Sequence, residues 1–299
     1  MRVANFRPRP RPGLIPAVLL VLLIAASVAS VRPAAAETTA ATASPRPPKV
    51  VATGPSHLAR RPSAALANAT TQLLDHGGRI IADIHLYAIW WGRSAAFPAD
   101  AQSAVTDFLD GLDGSRHLAL LAPYLRGAMP HTSSVVSFTD PANPPRSATA
   151  VNIGAEVAKV TNGTVDPAGV YLVFTSNAPS GATYCGWHNS VVIAGVRTPV
   201  VYLPLFGNGS PCDAGDRVGA NNLSERTRAL VNVAAHELFE VMTDAEPGPG
   251  TAAWVDSSGA EIGDKCAWQF VAPVRLRNGT RWQVQTEWAN ASRRCEQGA

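Results

Sequence analysis

The segment 232–244, N-V-A-A-H-E-L-F-E-V-M-T-D, constrains this chain more than any other stretch. Leu230, Val231, Ala234, Ala235, Leu238, Val241 and Met242 recur at helical spacing and give a helix one apolar side. Ser224 stands where an N-cap belongs, with Glu225 in the first turn. Between Ala229 and Phe239 the only titratable side chains are His236 and Glu237. Such groups are out of place on so apolar a helix unless something uses them.

Helical geometry says what that could be. His236 and Glu240 are four residues apart, so their side chains leave one face nearly in register, and Glu237 lies about 100° round from His236. An imidazole and a carboxylate one turn apart can share a metal ion, with the intervening Glu237 placed to act as a general base toward water. The layout is that of the H-E-x-x-H metalloproteases with Glu240 in place of the second His. A third ligand is expected from A-A-W-V-D-S-S-G-A-E-I-G-D-K-C-A-W at 252–268, where Asp256, Glu261 and Asp264 compete. Asp264 is preferred, because a disulfide at Cys266 would fix the loop that carries it. Zinc is the first choice of cofactor; one imidazole and two carboxylates also suit calcium or manganese. His188 is assigned to oxyanion stabilisation or, equally, to a structural hydrogen bond beside Cys185. The plain alternative is a solvated helix face followed by a turn of solvated acids. Trp254 and Trp268 could line a cleft or simply fill the core, and Trp90-Trp91 suits the core.

The other end of the chain sets the compartment. Arg2, Arg7, Arg9 and Arg11 precede an apolar run over 14–31, and Ala34-Ala35-Ala36 fits a cleavage site, so 1–36 reads as a signal peptide. That segment holds five of the 25 Lys and Arg and none of the Asp and Glu, which leaves 20 basic against 22 acidic residues. The mature chain is therefore expected to be secreted, with no membrane partner after cleavage and no pull toward nucleic acid. Residues 37–66 are rich in Ala, Thr, Pro and Arg and read as a disordered linker; 67–299 suits a single domain, expected to be monomeric. Four cysteines in an exported chain imply two disulfides. Cys185–Cys212 and Cys266–Cys295 are favoured among the three pairings, because each closes a loop of roughly thirty residues, a stabilisation of about 3 kcal/mol on the chain-entropy model.

Along the domain, 79–91 is predicted as a long strand, 98–112 as a helix and 115–125 as a shorter helix capped by Ser115. Strands are expected at 133–138, 169–176, 191–196 and 200–205, with a short helix at 151–160. The run G-V-Y-L-V-F-T-S at 169–176 reads as a fully buried strand. Asn278-Gly279 between 270–277 and 281–288 signals a closing hairpin. The predicted fold class is α/β (α+β): a mixed sheet flanked by helices, with the 232–244 helix packed on one face.

The residues also resemble a family. H-E-L-F-E-V-M-T-D-A at 236–245 followed by A-W-V-D-S-S-G-A-E-I-G-D-K-C is similar to the core of the exordium-like, or phosphate-induced protein, family. I-H-L-Y-A-I-W-W-G at 84–92, V-Y-L-V-F-T-S at 170–176, C-G-W-H at 185–188 and the closing W-A-N-A-S-R-R-C resemble its other segments. The resemblance implies a secreted or wall-associated protein and supplies no settled activity. The expectation is thus a secreted metal-dependent hydrolase, foremost a zinc metallopeptidase acting on a peptide or protein. The rivals are a non-catalytic binding or signalling protein and a cell-wall carbohydrate binder.

Overall fold

The computed structural model describes residues 51–52, 56–59, 71–215 and 222–298. The signal-peptide assignment and most of the linker lie outside these residues.

Five strands carry the fold: β1 (Asp83–Trp91), β2 (Val136–Asp140), β3 (Gly169–Thr175), β4 (Tyr184–Ile193) and β5 (Val196–Pro204). Their spatial order is β2-β1-β3-β5-β4; the first four run parallel, and β4 returns antiparallel to β5. Ala194 (φ 49°) and Gly195 (φ 89°) make that return in two residues, the left-handed pair a tight hairpin requires. Two short strands, Val51–Ala52 and Ser56–Ala59, pair with the outer side of β4. They correct part of the linker reading: an edge strand left open would expose a row of unpaired amides, and this stretch covers it.

Side-chain alternation splits the core in two. Leu86, Ala88 and Trp90 of β1, Leu172 and Phe174 of β3 and Leu203 of β5 face α1 (Ala101–Leu112) and α3 (Glu225–Thr243). Ile89, Tyr171, Val173 and Tyr202 face the other way, onto α2 (Ala150–Val160). β3 is buried along its whole length, as its unbroken apolar run predicts. The result is a mixed sheet between helical layers, the predicted α/β class.

α3 starts where expected, with the Ser224 side chain accepting a hydrogen bond from the Thr227 amide. From Ala229 to Thr243 every residue is buried. One side rests on the sheet; the C-terminal part of the chain wraps the rest, tied down by the Gln285 amide donating to Asn232 Oδ1 at 3.0 Å. This wrapping is what puts acidic residues from distant segments against the helix.

Several boundaries differ from the sequence reading. β1 begins at Asp83, and the stretch after Ser115 is a 3-10 helix, Leu118–Tyr124, whose Pro123 lacks the amide that a further α-turn needs. β4 begins at Tyr184, so Cys185 and His188 lie inside a strand and not before one. The predicted hairpin keeps its turn at Asn278-Gly279, but only Val274–Arg275 and Arg281–Trp282 pair there; Glu287–Ala289 pairs instead with Arg294–Glu296.

Candidate metal centre

His236 and Glu240 leave one face of α3, with Nε2 of the imidazole 3.1 Å from Glu240 Oε1. The loop after Glu261 closes over them. Its Asp264 Oδ1 lies 3.7 Å from His236 Nε2, and the Asp264 amide donates to Glu240 Oε1 at 3.1 Å. His236, Glu240 and Asp264 thus each bring one ligand atom to within 4.8 Å of the others. His236 and Glu240 are fully buried; the Asp264 side chain is 24% exposed.

Gly263 makes this approach feasible. A Cβ on Gly263 would stand 2.5 Å from His236 Nδ1 and 3.1 Å from Glu240 Oε1, although its backbone (φ −76°) is one any residue adopts. Gly263→Ala is therefore expected to act by overpacking alone. We predict a loss of about 1–3 kcal/mol in thermal unfolding, together with weaker metal binding in a titration. Unchanged values for both would refute the close approach.

The second imidazole enters from the sheet. His188 lies opposite Val201 on β5, so it points to the α3 face, and it is fully buried. Nε2 donates to the Asp244 carbonyl at 3.1 Å, and Nδ1 lies 3.2 Å from Glu237 Oε2 and 3.7 Å from Glu240 Oε2. Glu261 Oε1 is 3.5 Å from Nε2, and His188, Glu240 and Glu261 form a second group with ligand spacing. His188 is thus packed among carboxylates rather than presented at an open rim. Glycine again permits the contact: a Cβ at Gly186 would meet Val233 Cγ1 at 2.5 Å and Glu237 Oε1 at 3.2 Å.

The electrostatics are dominated by buried acids. Burial raises Glu240 and Glu261 well above the usual carboxylate range, and neighbouring carboxylates push the same way. Burial likewise raises Asp264 and Asp244. Glu287, from the strand beside the loop, is pushed up to about 8, first by burial. For His188 burial works downward, yet Glu261 and Glu237 hold the imidazole up to about 9. A cavity that makes acids this reluctant to ionise favours added positive charge.

The contested third ligand is sorted by geometry. Asp264 faces His236 and Glu261 faces His188, whereas Asp256 is engaged elsewhere. It accepts from Lys265 Nζ at 2.9 Å and Thr71 Oγ1 at 2.9 Å, and despite burial the hydrogen bonds from Ser258 and Lys265 hold it below the usual range. Trp268 is buried, and Trp254 packs edge-on against Tyr124 at 5.2 Å, so both belong with the core. Both favoured disulfides form, Cys185–Cys212 and Cys266–Cys295.

Three contributors escaped the sequence reading. Nε2 of the Gln285 side chain meets His236 at Nδ1, while the ring's Nε2 faces Glu240 and Asp264. Glu287 and Asp244 add carboxylates. A cleft of about 600 Å³ opens beside the centre, with Asp244 and Glu261 in its lining along with His76, Pro247, Ala252 and Val255.

The chain matches no protein-family model, no curated protein and no solved structure. Two disulfides fit folding in an oxidising compartment. Among the described residues no helix is long and apolar enough to cross a membrane.

Proposed function

We propose that this chain is a secreted, divalent-metal-dependent hydrolase, with zinc the first choice of ion and a peptide bond the default substrate. The observation that carries the reading is a pair of stranded atoms. His236 Nε2 and Glu240 Oε2 are buried and make no hydrogen bond, and His236, Glu240 and Asp264 have ligand spacing. A buried imidazole nitrogen and carboxylate oxygen left this way cost on the order of 1–3 kcal/mol each, and a cation there removes the cost.

His236, Glu240 and Asp264 would hold the ion. When bound, it supplies Lewis acidity toward a carbonyl and lowers the pKa of water. Glu237, one position along the helix from His236, is the proton acceptor in this reading. His188 orients Glu237 through its 3.2 Å contact. Asp244 and Glu261 reach the adjoining cleft, where a substrate would approach. The apolar run and candidate cleavage site over 1–36 support export, and the resemblance to the exordium-like family supports a wall-associated location.

One observation favours the non-catalytic rival: His188, His236, Glu237 and Glu240 are all fully buried, as in a centre that only braces a fold. Metal analysis decides first. Protein purified without chelator is expected to hold a stoichiometric divalent transition metal and to hydrolyse an unstructured protein substrate, with loss of hydrolysis after chelation and recovery on adding zinc. Metal without turnover would leave the binding protein; no metal at all would end the hydrolase reading.

A further inference from the structure

We infer that the centre holds two divalent ions, bridged by the carboxylate of Glu240. The inference rests on the metal-binding reading above and goes beyond it in number and in the role of one residue.

The two ligand groups, His236–Glu240–Asp264 and His188–Glu240–Glu261, share only Glu240. They use opposite oxygens of it. Oε1 faces His236 Nε2 at 3.1 Å, and Oε2 faces His188 Nδ1 at 3.7 Å. Oε2 is buried and makes no hydrogen bond, although an imidazole stands that close. A carboxylate in this attitude is the shape of a bridge, with one oxygen for each ion.

The two imidazoles are held differently. The Asp244 carbonyl can only accept, so the contact at 3.1 Å makes Nε2 of His188 the N–H; Nδ1, which now meets Glu237 Oε2 at 3.2 Å, would turn to the second ion. Tying the outer ring N–H to a carbonyl, as at His188, is how metal-ligating histidines are held. At His236 the ring meets Gln285 Nε2 at Nδ1, so binding an ion through Nε2 would place the ring proton on Nδ1 and turn the Gln285 side-chain amide to accept it through Oε1. Nδ1 of His188 and Nε2 of His236 then face the two oxygens of one carboxylate.

Charge agrees with the count. Glu237, Glu240, Asp244, Glu261, Asp264 and Glu287 are drawn around the two rings, and five of the six are at most 1% exposed. One divalent ion offsets two of those charges; two ions offset four. Paired ions in such centres lie roughly 3.5–4 Å apart, a spacing one carboxylate spans. The second group also carries Glu261, which lines the cleft, so the second ion would be the one nearer a substrate.

The test is a manganese titration of the metal-free full chain, read by metal content and by electron paramagnetic resonance. Two ions per chain with an exchange-coupled spectrum are expected. Asp264→Asn and Glu261→Gln should each lower the bound manganese to about one and abolish the coupling, while circular dichroism stays that of the parent. Two uncoupled ions would overturn the bridge. A single ion would overturn the inference and leave the one-metal hydrolase standing, and no binding would overturn both. The wild-type measurements keep the test decisive should a variant fail to fold.

Discussion

Glu237→Gln is expected to lower the turnover of a protein substrate by 10²-fold or more while metal content and melting temperature stay near those of the parent. Gln is isosteric and can still meet His188 Nδ1 across the 3.2 Å contact that Glu237 makes now. What it loses is the capacity to take a proton. His236→Ala provides the contrast, because it removes a ligand as well as an imidazole. Metal content should fall with activity, and part of the thermal stability should go too, since an ion bound only by the folded state stabilises it by mass action. If the wild type turns over substrate and Glu237→Gln leaves that rate intact, Glu237 is not the base.

The second large effect concerns pH in the metal-free protein. Glu287 is raised to about 8 from an ordinary value near 4.5, and Glu240, Glu261, Asp264 and Asp244 are raised as well. A group raised in the folded state contributes stability that is complete below its unfolded pKa and lost as pH climbs through its folded one. His188, raised to about 9, has the same sign. Chelated protein should therefore lose stability between about pH 5.5 and pH 8.5, on the order of several kcal/mol, because each tenfold change in proton affinity on folding is worth about 1.4 kcal/mol. Added metal should restore the most at the alkaline end, where the acids are ionised and waiting for a cation. Denaturant midpoints with and without chelator at the two pH values check this. A flat profile in chelator would show that the buried acids impose no such burden.

Much of the fold was legible because its signals are local. The unbroken apolar run of β3, the Ser224 cap and the helical spacing of α3 needed no partner to be read. The pairing of His236 with Glu240 was legible for the same reason, being a property of one helix. His188 was visible as a residue but not in its surroundings, because the apolar signal for β4 starts only after it; the strand in fact extends back to Tyr184 and puts the side chain on the α3 face. Gln285 and Glu287 were not legible as site residues. They reach the helix only once the C-terminal segment is laid across it, through contacts such as the Trp288 amide donating to the Ile262 carbonyl at 3.1 Å. An acid between Thr286 and Trp288 in a stretch that reads as a strand was the one available hint.

The disulfide between Cys266 and Cys295 has a bearing on when such a centre can exist. Cys266 follows Asp264 by two residues, and Cys295 pairs across from Trp288, next to Glu287. The bond therefore staples together two of the three segments that converge on α3. A newly made chain in a reducing cytosol lacks that staple, and its acidic loop has only non-covalent contacts to hold it against His236. Loading would then wait for oxidation outside, and a hydrolase of this design would stay latent toward the proteins of the cell that makes it.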